Sequence, residues 1–205
     1  MVSASLLLLF ILSLFFTYVF RNYAVKKGLI DKPNQRSLHK KPIARGGGIV
    51  FVIIWILFVS SSLLLHLWPW QYGCALISGV SLVAIVSYYD DHSHIAPRWR
   101  ILVHLLAAII FLGFIGEINS LSIGLFNWHI GYILGTILAL LALVWSTNVF
   151  NFMDGVDGFA GFEASFIFGA AGWLLYRSGQ KEAALLVWSI VYLDLIEATN
   201  QYYFL

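Results

Sequence analysis

Long apolar runs alternate with short polar breaks along the whole chain. Seven runs are long enough to be helices, at about residues 3–22, 48–68, 72–89, 100–117, 130–149, 159–177 and 183–204. Each run is continuous. Barrel strands would instead alternate apolar and polar positions over about ten residues. A hydrocarbon core about 30 Å thick takes about 20 apolar residues of helix. Lipid offers the backbone no hydrogen-bond partners, so only helices and closed barrels span it. The pattern predicts an all-α, polytopic transmembrane helix bundle of about seven spans, organised as a single integral membrane domain over residues 1–205.

Composition sharpens this reading. Of 205 residues, 60% are hydrophobic and 11% charged, against roughly a quarter charged in a soluble domain. The first run, "MVSASLLLLFILSLFF", has no basic residue ahead of it. A secretory signal needs a positive leader and a small-residue cleavage site, so a retained helix with its N-terminus outside the cytoplasm is expected. The lone Cys74 has no internal disulfide partner.

Net charge, +2, decides little, but its distribution decides orientation. Arg21, Lys26, Lys27, Lys32, Arg36, Lys40, Lys41 and Arg45 lie between the first two spans, and Arg98 and Arg100 between the third and fourth. These are ten of the twelve basic residues, on loops that alternating spans put on one side. Positive loops stay cytoplasmic. Arg177 and Lys181 are the minor exception. Two acidic pairs, Asp90 with Asp91 and Asp154 with Asp157, fall on that same side. Elsewhere, "GYILG" (Gly131 to Gly135) has the small-xxx-small spacing of close helix contacts. Trp68, Trp70 and Trp99 fit an interfacial belt. His66, His104 and His129 are expected to be packed, hydrogen-bonded groups.

Three stretches carry candidate chemistry. "NVFNFMDGVDGF" (Asn148 to Phe159) repeats an oxygen-bearing side chain every third residue: Asn148, Asn151, Asp154, Asp157. Residues three apart are neighbours on a helix face, and Gly155 and Gly158 permit close ligand approach. Carboxylate and amide oxygens suit a hard cation such as Mg²⁺, often shared with substrate phosphates. The plainer alternative is a capped helix end, but a cap needs one such residue, not four. "YYDDHSHIAPRWR" (Tyr88 to Arg100) sets two carboxylates side by side. They repel unless a cation compensates. A solvated helix end, or a transition-metal site with His92 and His94, are the alternatives. In "DKPNQRSLHKKPIARGGGIVF" (Asp31 to Phe51), Arg36, Lys40, Lys41 and Arg45 are suited to gripping phosphate, and consecutive glycine amides to forming an anion nest. Anchoring to anionic lipid explains the basic residues equally well.

These stretches resemble the polyprenyl-phosphate N-acetylhexosamine-1-phosphate transferases, closest to the bacterial branch serving O-antigen and other surface polysaccharides. "DKPNQRSLHKKPIARGGG" is similar to that branch's first cytoplasmic loop. "DDHSHIAPRWR" resembles its paired-aspartate motif, and "NVFNFMDGVDGF" its N-x-x-N-F-x-D-G-x-D-G signature. The resemblance implies a multi-pass enzyme of the bacterial inner membrane with its active site on the cytoplasmic side. It would transfer a sugar-1-phosphate from a UDP-N-acetyl sugar to a polyprenyl phosphate, releasing UMP. Asp90 and Asp91 would serve the lipid phosphate. Asn151 and Asp154 would hold Mg²⁺, with Mn²⁺ as the substitute, and Asp157 would support the metal or nucleotide site. Arg36, His39, Arg45 and Asn148 would lie near substrate. The expected partners are polyprenyl phosphate, the UDP-sugar, membrane lipid and a second copy of the chain, with no nucleic acid. The family continues with an M-G-D segment, further helices and a basic, histidine-containing loop. The chain is therefore expected to be the N-terminal part of a larger fold, a truncated product. Two rivals remain at this point: an inactive remnant that binds lipid phosphate or a partner, and an ion or metal transporter using Asp90, His92, His94 and Asp154.

Overall fold

The computed structural model describes residues 2–31, 43–44, 48–93, 95–123, 126–153 and 159–203. Among them the chain forms seven helices: α1 (Val2–Lys27), α2 (Gly48–Leu64), α3 (Trp70–Ser93), α4 (Pro97–Ile115), α5 (Tyr132–Met153), α6 (Phe159–Arg177) and α7 (Lys181–Tyr203). Each occupies one of the seven expected runs. Among the described residues, three stretches are long and apolar enough to cross a membrane: Trp70–Asp90 of α3, Pro97–Ile115 of α4 and Tyr132–Phe150 of α5. Helix α2 is apolar but shorter, at 17 residues. The architecture is that of an all-α membrane protein.

Two small antiparallel hairpins interrupt the helices: β1 (Ile30–Asp31) with β2 (Ile43–Ala44), and β3 (Ser120–Ile123) with β4 (Phe126–His129). The hydrophobic pattern did not announce them, because each is too short to carry a period of its own. In the second hairpin Ser120 stands opposite His129 and Ile123 opposite Phe126. Phe126 and Trp128, two apart on one strand face, stack with ring centroids 5.9 Å apart.

Helix ends follow one hydrogen-bond scheme. At the end of α1, Gly28 N–H donates to the Val25 carbonyl and Leu29 N–H to the Ala24 carbonyl. This is the paired closure that needs a left-handed residue after the helix, and Gly28 has φ +72. Helix α2 closes in the same way at His66, whose N–H donates to the Leu63 carbonyl while Leu67 N–H donates to that of Ser62. His66 is a non-glycine residue at φ 54. The expected run to residue 68 is therefore cut short by a turn, not by a loss of apolar residues.

The chain divides into two compact units, Met1–Leu67 with Met153–Leu205, and Trp68–Phe152. In the first, α7 packs against α1, α2 and α6. Its buried positions include Ala184, Leu186, Ser189 and Leu193. Helix α1 buries Leu9, Ser13, Thr17 and Ala24, nearly all at helical spacing. The Trp55 indole of α2 donates to Ser189 Oγ at 3.2 Å, and that hydroxyl donates to the Leu186 carbonyl at 2.6 Å. The pair satisfies both polar groups within an otherwise apolar seam. Across α6 and α7, the Trp188 indole lies against Gly172, where a Cβ would collide with it, and donates to the Gly169 carbonyl at 3.3 Å.

The second unit holds α3, α4, the β3–β4 hairpin and α5. Helices α3 and α4 form an antiparallel pair whose register can be followed from end to end. Trp70 meets Phe114 edge to face, with ring centroids 6.2 Å apart. Gly79 faces Ala107 and Phe111. Asp90 meets Arg100. Small buried residues, Ala75, Ala107 and Ala108, line the seam and let the backbones approach.

Among the described residues, the nearest neighbour of the "GYILG" stretch is not another helix. Gly131, at φ 74, turns the chain into α5. Gly135 backs onto the Ile118 carbonyl so closely that a Cβ would overlap it. The spacing was legible, but its partner is the connecting segment. Two of the three histidines also depart from expectation. His66 and His129 are exposed, and only His104 is buried, at 4% exposure.

Candidate active site

The paired-aspartate motif sits where α3 hands over to α4. Asp90 is near the C-terminal end of α3 and Arg100 in the first turn of α4. Each is unfavourable in its own helix, because a carboxylate faces the negative end of the macrodipole and an arginine the positive end. The antiparallel turn resolves both by bringing them together. Arg100 Nη1 donates to Asp90 Oδ2 at 2.7 Å, with the side chains 28% and 22% exposed. The other carboxylate oxygen, Oδ1, accepts the Ile95 backbone N–H at 2.7 Å. Pro97 begins α4, where its missing N–H costs nothing. The "DDHSHIAPRWR" stretch thus makes a short, braced connection.

From the far end of α4 the β3–β4 hairpin turns the chain, and α5 runs back. His104, one helical turn beyond Arg100 on α4, lies near the Asn148 side chain of α5. The Nδ1 of His104 is buried and has no hydrogen-bond partner. Asn148 is oriented from its other side, since its Nδ2 donates to the Val144 carbonyl at 2.8 Å. Asn151 follows Asn148 by three residues on α5, about 4.5 Å further along its axis.

The expected residues fall into three groups. Asp90 and Asn148 are described in full, and both belong to the Trp68–Phe152 unit. Asp91, on α3, and Asn151, on α5, are described in backbone only, as is His92. Arg36, His39, Arg45, Asp154, Asp157 and His94 lie outside the described residues. Among the described residues, no three His, Cys, Asp or Glu side chains gather as a metal cluster. Asn151, Asp154 and Asp157 offer oxygen donors alone, the chemistry a hard divalent cation takes.

Two residues in this site were read more blandly from sequence. Arg100 counts there towards loop charge and as part of the paired-aspartate stretch, with no partner assigned, and His104 as a packed, hydrogen-bonded group. The available signal was their spacing. They stand one turn apart, so they share a face of α4, and a histidine in an apolar span is costly unless it has a task.

The sequence matches the profile of Glycosyl transferase family 4 over residues 74–196. It is 32% identical over 194 residues to an undecaprenyl-phosphate alpha-N-acetylglucosaminyl 1-phosphate transferase of Yersinia pestis, covering 92% of this chain and 51% of that protein. The Escherichia coli K12 protein of the same name is 28% identical over 193 residues, covering 93% of this chain and 51% of its own. A probable undecaprenyl-phosphate N-acetylglucosaminyl 1-phosphate transferase of Bacillus subtilis is 26% identical over 149 residues, with 72% of this chain and 40% of its own covered. The chain spans about half the length of the first two relatives.

Proposed function

The chain belongs to glycosyl transferase family 4, and from that premise we propose that it serves transfer of an N-acetylhexosamine-1-phosphate from a UDP-sugar to a polyprenyl phosphate, with release of UMP. The product starts a lipid-linked surface glycan, on the O-antigen pattern. The observation that carries this reading is the family match over residues 74–196, a stretch that contains both the tandem carboxylates and the Asn148–Asp157 strip. Asp90 and Asn148 belong to the same helical unit. The relatives' names supply the acceptor class and the sugar-phosphate group.

Such a reaction needs positioning and charge neutralisation more than covalent help. An oxygen of the lipid phosphate bonds to the sugar-bearing phosphorus as that phosphorus gives up the bridging oxygen to UMP. A phosphate monoester has a second pKa of about 6, so the acceptor is mostly dianionic near neutral pH and needs little help from a base. The paired-aspartate end orients the lipid phosphate and takes any remaining proton. Asn151 and Asp154 would hold a divalent cation, Mg²⁺ or Mn²⁺, whose contribution is to offset diphosphate charge. Asp157 supports that site or the nucleotide. Arg36, His39 and Arg45 stand in the basic loop, where they would meet the anionic substrates. The tail of the lipid enters sideways from the bilayer, which accounts for a phosphate-transfer site at the ends of membrane helices. The charge distribution supports a cytoplasmic face in a bacterial inner membrane. The chain serves as an integral membrane domain, and a second copy of it is the candidate partner.

The transporter alternative required Asp90 to line a path across the bilayer. Engagement of both its oxygens by Ile95 and Arg100 argues against that.

The test is a radiolabelled transfer assay in membranes holding the wild type or Asp154→Ala. We expect transfer of label to lipid and release of UMP to drop at least 100-fold in the variant, the scale of losing an electrostatic stabiliser. UMP release that ignores Asp154 would sink the assignment.

A further inference from the structure

We propose that the β3–β4 hairpin is an interfacial lipid anchor. Its face carrying Leu121, Phe126 and Trp128 enters the headgroup–acyl boundary of the leaflet opposite the Asp90 end of α3. The occupant of that face is the bilayer, not a protein. The anchor needs only the fold of the Trp68–Phe152 unit and goes beyond the transferase reading.

Four observations carry it. First, the hairpin is two-sided. Leu121 stands opposite Trp128 and Ile123 opposite Phe126, while Ser120 stands opposite His129 and Ser122 opposite Asn127. Directly opposite residues share a face and successive residues alternate. One face therefore receives apolar residues alone, and the other polar residues alone. Second, the apolar face is uncovered. Phe126 is 67% exposed, Trp128 48% and Leu121 41%, and the Phe126 and Trp128 rings stack with their planes 7° apart. A contiguous exposed apolar patch marks a protein or a membrane contact. Third, the connections of the hairpin choose the membrane. It joins Pro97–Ile115 of α4 to Tyr132–Phe150 of α5, both long and apolar enough to cross a bilayer, so it stands at a membrane surface. Its base is tied down there. The N–H groups of Ile130 and Gly131 donate to the Asn119 carbonyl at 3.0 and 3.2 Å, and Gly135 of α5 backs onto Ile118. Fourth, the surroundings are aromatic. Trp70, at the start of α3, is exposed and meets Phe114 near the end of α4, and exposed Tyr132 opens α5. Tryptophan and tyrosine favour the headgroup level.

Charge selects the kind of lipid. From Gly116 to Gly131 the chain has Glu117 but no Lys or Arg, and Glu117 accepts from Asn119 Nδ2 at 3.1 Å. Nothing in that segment attracts anionic headgroups, so the hold is apolar and aromatic and works on zwitterionic lipid. An anchor at this end sets the depth of α5. Asn148 follows Tyr132 by about 24 Å of helix axis, most of the way across a hydrocarbon core of about 30 Å.

The test uses the full chain in phosphatidylcholine vesicles, in a Cys74→Ala background. One nitroxide label at a time is placed on Ser120→Cys, Leu121→Cys, Asn127→Cys or Trp128→Cys. Electron paramagnetic resonance reads collisions with oxygen, which concentrates in the bilayer, and with a water-soluble nickel chelate. Labels at 121 and 128 should favour oxygen severalfold more than those at 120 and 127, and should report a depth of about 5–10 Å. Equal access of nickel to all four overturns the proposal, because the hairpin then stands in water. Protection of 121 and 128 from both reagents also overturns it, because protein then covers the face. The Asn127→Cys label leaves the apolar face intact, so it is followed again with Phe126→Ser and Trp128→Ser added, and the thermal midpoint checks that the helices remain folded. Nickel access should rise severalfold as the hairpin lifts, and unchanged access overturns the anchor. Adding phosphatidylglycerol should leave the depth unchanged, and a depth that depends on anionic lipid overturns its apolar basis.

Discussion

Asp90 and Asp91 are adjacent carboxylates, and the chain treats them differently. Asp90 accepts from Arg100 and from the Ile95 backbone, with its side chain 22% exposed. Hydrogen bonds to charged groups contribute about 1.5–3 kcal/mol when partly buried. Arg100→Met should therefore lower stability by about 2 kcal/mol, read as a drop in thermal midpoint in detergent. Asp90→Asn keeps an acceptor for Ile95 and loses only the ion pair, so it should cost about 1 kcal/mol. Equal losses in the two variants would refute the division of labour between the two oxygens. The motif's presence was legible in "DDHSHIAPRWR". Which of its carboxylates is tied down was not, because adjacent helical residues point about 100° apart and only the neighbouring helix decides between them.

Among the elements, glycines separate contacts that depend on space from those that do not. A Cβ at Gly135 would overlap the Ile118 carbonyl, whereas one at Gly113 of α4 meets nothing within 4 Å. Gly135→Ala should cost about 1–3 kcal/mol through forced backbone displacement. Gly113→Ala should be neutral or stabilise by up to about 1 kcal/mol, the propensity gain of alanine within a helix. A thermal scan that ranks them the other way would refute the packing of the α4–α5 connection described here. His66 offers a complementary case. It closes α2 in a left-handed conformation that costs a side-chain-bearing residue roughly 1–2 kcal/mol. His66→Gly should raise the midpoint, and a fall would show that the imidazole has a role of its own. The helices themselves could be read from the length of the apolar runs. The closure at Gly28 could be read from its glycine, whereas that at His66 could not.

At the scale of the whole molecule, exposed apolar surface and charge together set the environment. Ile133, Trp145 and Phe162 are 74%, 73% and 75% exposed. Large apolar patches of this kind on a water-soluble monomer would drive aggregation, while facing lipid they carry no such penalty. On the proposed orientation, the basic first loop stays on the cytoplasmic side. In a Cys74→Ala background, Ser178→Cys should react with a membrane-impermeant maleimide in intact cells. Gln35→Cys should react only after permeabilisation. The reverse pattern would invert the orientation and with it the cytoplasmic site.

Membrane residence, helix count and the candidate motifs were determined by the sequence alone. Lipid makes these properties local: apolar length selects a span, basic residues select a side, and an acid among apolar neighbours stands out by its cost. Tertiary structure alone decided that Asp90 is held by Arg100 and Ile95, that Trp55 meets Ser189, and that Gly135 backs onto the connecting segment instead of a helix crossing. Each of these depends on which side chain meets which across helices distant in sequence. The hydrogen bond between Trp55 and Ser189 leaves no periodic trace in either segment.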